Sequence, residues 1–473
     1  MKVPTLPERW MTRREMLRMS CGGFGYVALA GLLAQTARAL QAASNNPLTS
    51  RNPHFPARAK RVIFLFMHGG PSHVDTFDHK PLLVRDNGKL YKEAKPGDLL
   101  APNSKLLGPQ WEFQKHGQSG LEISSVFPAI ARHADKLCLI RSMHTNGQDH
   151  GQAVLKLHTG SNTQVRPSVG SWVIYGLGSE NQNLPGFVTI SPPVFNGGPQ
   201  NYGSAFLPAI FQGTPIGSDN TPLSQAQIRH IKNARLPLDL QRQQLDFLQQ
   251  INREHLKQAQ QDSQLEGVIE SYELAFRMQT AAPKVTDLSG ESKATLELYG
   301  INQERTDNFG RQCLLARRFA QNGVRFIQVN HAFKWDQHTN LKRDLERNAQ
   351  EVDQPIAALL HDLAALGLLN DTLVLWGGEF GRTPTAQGND GRDHNPHGFT
   401  MWLAGGGIKA GFSYGATDDY GYRAVENKVH IHDLHATLLH LLGIDHTKLT
   451  YRYGGRDFRL TDVHGNLVNA IIS

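Results

Sequence analysis

The chain has 473 residues, 39% hydrophobic and 19% charged, with 49 Lys and Arg against 42 Asp and Glu for a formal charge of +7. With a mean hydropathy of −0.40, this composition excludes a polytopic membrane protein and a disordered charged tail, and fits a globular chain with a large core. Six basic and two acidic side chains among residues 1–39 carry +4 of that charge, leaving +3 for the rest. No basic stripe interleaved with aromatics stands out, so nucleic acid is not an expected partner.

Residues 1–43 read as a leader. Arg13-Arg14 within Thr12-Arg13-Arg14-Glu15-Met16-Leu17-Arg18 precedes an uncharged Gly/Ala/Leu run at 19–34, and Ala37-Arg38-Ala39 offers small residues at cleavage spacing. The run is too short and glycine-rich for a span of about 20 apolar residues, and the paired arginines point to the twin-arginine export machinery. The mature protein, 44–473, is therefore expected as a single domain in the periplasm or outside the cell, with no stable membrane span and with any metal loaded before export. Of the three cysteines, Cys21 leaves with the leader, and Cys138 and Cys313 lie in apolar runs that predict buried thiols.

In the mature chain, β-branched apolar runs bounded by turn residues alternate with helix-period segments. The patterns predict a strand at 61–67, a helix at 126–134, a strand at 136–141, helices at 150–158 and 168–177, and a strand at 186–190. A Gly/Pro/Asn/Ser-rich loop follows at 191–221, of the kind that forms a substrate lid. Then comes a Gln-rich helical pair at 225–280, with Leu245, Leu248, Ile251 and Leu256 and then Leu265, Val268, Ile269, Tyr272 and Phe276 at helical spacing. A helix at 308–321, a strand at 324–330, a helix at 341–366, strands at 372–376 and 399–404, and a helix at 432–442 complete the pattern. The fold class is α/β: a three-layer α/β/α arrangement around a mainly parallel sheet, with 225–280 as a helical insertion. Gly405-Gly406-Gly407 lacks the spacing of a phosphate loop and reads as a tight turn.

Ligands of open parallel sheets bind beyond the carboxyl ends of the strands. The residues there are His68, His73 and Asp75; His144, Thr145, Asn146, Asp149 and His150; His331, Asp336 and His338; Glu379 and Arg382; and Asp393, His394 and His397. Imidazole and carboxylate delivered to one rim suit one or two divalent transition metals, Zn, Mn or Fe, better than Ca²⁺. Some of these histidines must orient ligands rather than touch metal.

The runs His68-Gly69-Gly70-Pro71-Ser72-His73-Val74-Asp75-Thr76-Phe77-Asp78, Trp376-Gly377-Gly378-Glu379-Phe380-Gly381-Arg382-Thr383-Pro384, Gly391-Arg392-Asp393-His394 and Leu403-Ala404-Gly405-Gly406-Gly407-Ile408-Lys409 resemble a family of exported, sulfatase-like bacterial proteins, over nearly the whole chain. The resemblance implies the alkaline phosphatase superfamily, an α/β/α fold with one or two metals held by Asp and His, and transfer of phosphoryl or sulfuryl groups. Asp433-Leu434-His435-Ala436-Thr437-Leu438-Leu439 is similar to a sulfatase run, and Thr159-Gly160 matches the close of the sulfatase active-site helix. Nine residues before Thr159, however, stands His150, where a sulfatase has its modified cysteine and a phosphatase its serine or threonine. The first strand is followed by His68 instead of aspartate, and Glu379-Phe380 replaces Asp-His. These departures are compatible with a metal site and take away the usual nucleophile, leaving a metal-activated water or an unusual nucleophile to attack the ester.

The expected metal ligands are His68, Asp75, Asp336, His338, Asp393, His394 and His397, with Asp75 alternatively capping its own turn. Glu379 is expected to ligate or to act as general base, and His150 to serve as ligand or acid–base group with Asp149 orienting it. Arg382 would clamp anionic oxygens or form a surface ion pair; His73 and Asn146 would contact substrate; Ser72 and Thr76 are reserve nucleophiles. Together these predict an exported metal-dependent hydrolase of sulfate or phosphate esters. The alternative is a catalytically silent binding protein for sulfated or phosphorylated glycans.

Overall fold

The run Arg-Val-Ile-Phe-Leu-Phe-Met has no polar alternation, as a strand covered on both faces requires. In the computed structural model, which describes residues 46–93, 100, 103–226, 228, 231, 233, 235–258 and 263–473, it forms β1 (Arg61–Met67), buried at all seven positions. The leader and its arginine pair lie outside the described residues.

The other strands of the central sheet are β2 (Leu137–His144), β3 (Phe187–Ile190), β4 (Thr214–Ile216), β5 (Phe326–His331) and β6 (Thr372–Gly377). After a separate hairpin, β7 (Gly381–Gln387) and β8 (Gly391–Asn395), come β9 (Phe399–Ala404), β10 (Phe412–Tyr414) and β11 (Val429–His430). The nine-stranded sheet runs β10-β2-β9-β6-β1-β5-β3-β4, with β11 beside the end of β2. All pairings are parallel except those of β9, which is antiparallel to β2 and β6. Successive strand side chains point to opposite faces. Complete burial of β1, β5, β6 and β9 therefore means that both faces are covered, which makes the fold the expected α/β/α arrangement.

The helices that matter below are α1 (His150–Thr159), α2 (Val169–Leu177), α3 (Leu238–Gln258), α4 (Ser263–Thr286), α5 (Asp307–Gln321), α6 (Leu341–Ala365) and α7 (Ile431–Leu441). Among the described residues, no helix is long and apolar enough to cross a membrane. Cys138 and Cys313 are buried free thiols, as their apolar settings predict.

Three local expectations change. The helix expected at 126–134 contracts to Pro128–Ala131, whose first-turn amides at Ala129 and Ile130 donate to the α6 side chain Asp353 at 2.7 and 2.8 Å, and a 3-10 turn at Ala134–Lys136 takes up the rest. The loop at 191–221 contains the edge strand β4 and 3-10 turns at Gly198–Asn201 and Ala209–Phe211. In the helical pair, α4 turns Ile269, Leu274, Met278, Ala282 and Val285 inward and leaves Val268 and Tyr272 exposed. Arg242 of α3 is joined to Glu273 of α4 by two hydrogen bonds of 2.9 and 3.0 Å.

Candidate metal centre

Because β1, β2, β5 and β6 point the same way, their following loops share one edge, and the β7–β8 hairpin folds over that edge just before β9 returns. Close approach of two loops is built in at Gly69. Its φ is +118°, and a Cβ there would lie 2.6 Å from the backbone nitrogen of Asp336, so only glycine lets the chain after β1 meet the loop after β5.

His150 opens α1, whose N-cap Asp149 accepts the amide of Gln152 at 2.9 Å. Its Nε2 lies 3.0 Å from Asp336 Oδ1. His338 Nε2 and His394 Nε2 approach the same oxygen at 2.9 and 3.3 Å and each other at 3.0 Å. These four side chains could hold a metal ion, their ligand atoms all lying within 4.8 Å of one another.

The opposite ring nitrogens decide the chemistry. His150 Nδ1 donates to Glu379 Oε1 at 2.5 Å, His394 Nδ1 to the carbonyl of Gln148 at 2.9 Å, and His338 Nδ1 to Gln387 Oε1. A carboxylate, a carbonyl and an amide oxygen can only accept, so each Nδ1 carries a proton and, in the neutral ring, each Nε2 turns a lone pair inward. Three lone pairs facing one carboxylate oxygen repel unless a cation lies among them. Supporting acceptors of this kind are how proteins orient metal-binding imidazoles, so the donor set, three nitrogens and one oxygen, fits Zn²⁺ or a similar transition ion.

Without a metal the same cluster draws protons. Burial disfavours a charged His150, yet its contacts with Asp336 and Glu379 prevail and raise its pKa. His338 is raised chiefly by its contact with Asp336. Burial works against the Asp336 charge, but His150, His338, His394 and Arg382 together hold its pKa far below the usual carboxylate range. Glu379, wholly buried, is likewise held below its ordinary value, against the cost of burial, by His150.

The cluster gathers His150, Asp336, His338 and His394, and the remaining expected site residues fall elsewhere. Glu379 also accepts the Gly69 amide on both oxygens, at 3.0 and 3.2 Å, so it orients His150 and is not placed to ligate. Asp149, expected to orient His150, caps α1 instead. Arg382 is neither a clamp facing solvent nor a surface ion pair. It is fully buried and hydrogen-bonded to the carbonyls of Gly69, Gly70 and Trp335, and at 2.8 Å to Asp336 Oδ1, so it orients that carboxylate.

His68 is enclosed by Phe66, Phe195 and Phe333 and meets Asn196 Nδ2 at 3.2 Å. Burial lowers its pKa to about 4 and keeps it neutral. Asp75 forms a buried ion pair with Arg392 at 2.7 Å and accepts Ser72 Oγ at 2.5 Å, which removes it from the ligand set. His73 is buried against the Gly421 carbonyl at 2.7 Å, with no face open to solvent. His397 packs on Tyr422, and Asn146 accepts His430 Nε2 at 2.6 Å, both outside the four-residue cluster. Asp393 stays at the rim, half-exposed, 3.8 Å from His338 Nδ1. The reserve nucleophiles are spent locally, Ser72 on Asp75 and Thr76 on the Ser72 carbonyl at 2.8 Å.

An aromatic wall, for which the sequence patterns carry no expectation, lines the cluster. Phe380 lies against His150 and His394 at ring-centroid distances of 4.8 and 4.5 Å, and Phe333 meets His150 edge-on at 4.8 Å. Both sit within two residues of a rim histidine or carboxylate, the one signal available for them.

A family described as "protein of unknown function (DUF1501)" matches residues 59–472, and the chain belongs to it. No functionally curated protein matches it in sequence. Solved structures with a similar fold include the alkaline phosphatase of the Antarctic bacterium TAB5, 11% identical with a TM-score of 0.33 over 83% of this chain and 99% of that one. The PsFucS1 sulfatase from Pseudoalteromonas sp. is 13% identical, with a TM-score of 0.35 over 82% and 68%. The lipoteichoic acid synthase LtaP from Listeria monocytogenes is 10% identical, with a TM-score of 0.33 over 89% and 80%. Likenesses this distant say nothing of activity.

Proposed function

We propose that this member of the DUF1501 family is an exported, metal-dependent hydrolase of sulfate or phosphate esters that works without a covalent nucleophile. The observation that carries the reading is the set of three Nδ1–H donors, fixed by Glu379, Gln387 and the Gln148 carbonyl, that aim three Nε2 lone pairs at Asp336. A divalent transition ion bound there supplies Lewis acidity toward water or an ester oxygen.

The chain's own residues do the rest. His150, His338, His394 and Asp336 hold the ion, with Arg382 and Glu379 keeping Asp336 and His150 in orientation. Phe333 and Phe380 exclude water from the ring faces. Asp393, half-exposed and 3.8 Å from His338 Nδ1, backs the outer edge of that ring beside Gln387. With Ser72 and Thr76 both engaged in their own turn, direct attack by water is the consistent route. Export rests on the leader at 1–43, and sulfate is preferred to phosphate by resemblance of the sequence motifs.

The absence of a poised nucleophile at the start of α1 also favours a second reading, a silent relative that binds sulfated or phosphorylated glycans. Metal-loaded protein assayed on aryl and sugar sulfates and phosphates, beside His150→Ala, separates the two. The hydrolase reading expects turnover in the parent and a loss of orders of magnitude, with lower metal content, in the variant. Tight binding with no turnover across the panel would establish the second reading instead.

A further inference from the structure

A second group of polar side chains lies farther along α1. Lys156 is six residues from His150, about 9 Å of helix rise, and is buried to 8% exposure. Among the described residues its Nζ meets one partner, His432 Nε2 at 3.0 Å, at the start of α7. An ammonium has three protons to place. Burying a charge without a counter-charge is costly, and here burial lowers the Lys156 pKa, opposed by the more distant Asp462.

Lys156 lines a cavity of about 220 Å³ whose wall also carries Arg166, Arg459, His432 and His464, with Trp172 beneath. Against Lys156, Arg166 and Arg459 the described lining holds a single carboxylate, Asp462, which is already engaged by Arg456. Arg166 lies over the Phe458 ring at 4.2 Å, and Arg459 Nε is tied to the Asp462 carbonyl, so both guanidiniums are anchored beside the cavity. The two walls are locked together at Gly160, the left-handed cap of α1. A Cβ there would lie 2.4 Å from the Leu460 carbonyl oxygen, so glycine is what lets the Arg459 segment close on the helix.

We infer that this cavity is a binding site for a tetrahedral oxyanion, a phosphate or sulfate group, held by Lys156, Arg166 and Arg459. The volume exceeds that of a bare anion, so the group is carried either free or on a small sugar. An anion seated there supplies the counter-charge that Lys156 lacks and accepts the protons His432 leaves unused.

Calorimetric titration at constant ionic strength, with inorganic phosphate and with glucose 6-phosphate, tests the site in the full-length protein. His338→Ala serves as the background that disables the metal centre. The expected result is one site per chain that persists in His338→Ala. It should weaken about tenfold or more when Lys156→Met or Arg459→Met is added, with metal content unchanged when either is made in the parent. Tighter binding of the sugar ester identifies an ester-borne group, and tighter binding of phosphate the free anion. Arg459, the more exposed residue, gives a reading even if Lys156→Met fails to fold. Binding that disappears in His338→Ala, or that stays within twofold of the parent in the added variants, overturns the assignment. Metal content reports on the hydrolase reading independently.

Discussion

Glu379→Gln isolates the orienting role from ligation. Glu379 is wholly buried and accepts His150 Nδ1–H at 2.5 Å and the Gly69 amide at 3.0 and 3.2 Å. The amide keeps the shape and one acceptor oxygen, which can still serve His150 or Gly69. It removes the negative charge that makes the imidazole a stronger donor to metal and places an NH₂ beside another N–H. Loss of such a supporting carboxylate typically weakens metal binding about 10–100-fold, equivalent to about 1.4–2.7 kcal/mol. The effect should appear in Zn²⁺ competition against a chromophoric chelator, parent beside variant, with His394 and His338 untouched and stoichiometry still one. An unchanged dissociation constant would mean that His150 is not a ligand, and the argument from the three Nδ1 donors would fail.

Asp75→Asn should act oppositely. It strands Arg392, whose ion pair with Asp75 is fully buried, and should cost about 3–5 kcal/mol, read as a lower melting midpoint with metal stoichiometry unchanged; loss of metal at an unchanged midpoint would restore Asp75 to the ligands. For pH, the raised values of His150 and His338 mean that their proton-held contacts stabilise the metal-free protein fully below the ordinary value of 6.5 and fade as pH climbs through the raised values. Zn²⁺ competes with those same protons, so the gain in melting temperature on adding Zn²⁺ should grow from about pH 5 to 8, and a gain independent of pH would contradict the cluster. Replacing Arg13-Arg14 by lysines should hold the precursor in the cytoplasm, as immunoblots of cell fractions would show; normal export would refute the reading of the leader.

Strand positions were legible where burial on both faces leaves an uninterrupted apolar run, as in β1 and β6. Strand order was not, and the two- and three-residue edge strands β10 and β11 carry too little pattern to read. At the site, Asp336 and His338 lie in the loop that follows β5, so strand-end logic finds them. His394 reaches them because the β7–β8 hairpin folds back over the rim, which spacing cannot show. Asp75 misleads for a related reason: its partner Arg392 is 317 positions away, and a buried ion pair looks in sequence like any two charges. The split between ligand and support was equally hidden, since Glu379 and Asp336 are both carboxylates and part company only in what surrounds them.

X-ray absorption at the metal edge, combined with elemental analysis of protein purified without chelators, reads the ligand set at Asp336 and its three histidines. The expected result is about one equivalent of transition metal per chain, with three imidazole nitrogens near 2.0–2.1 Å and carboxylate oxygen completing the protein ligands, and loss of that signal in His338→Ala. A content well below one equivalent in reconstituted protein, or a first shell of oxygens without imidazole, would contradict it.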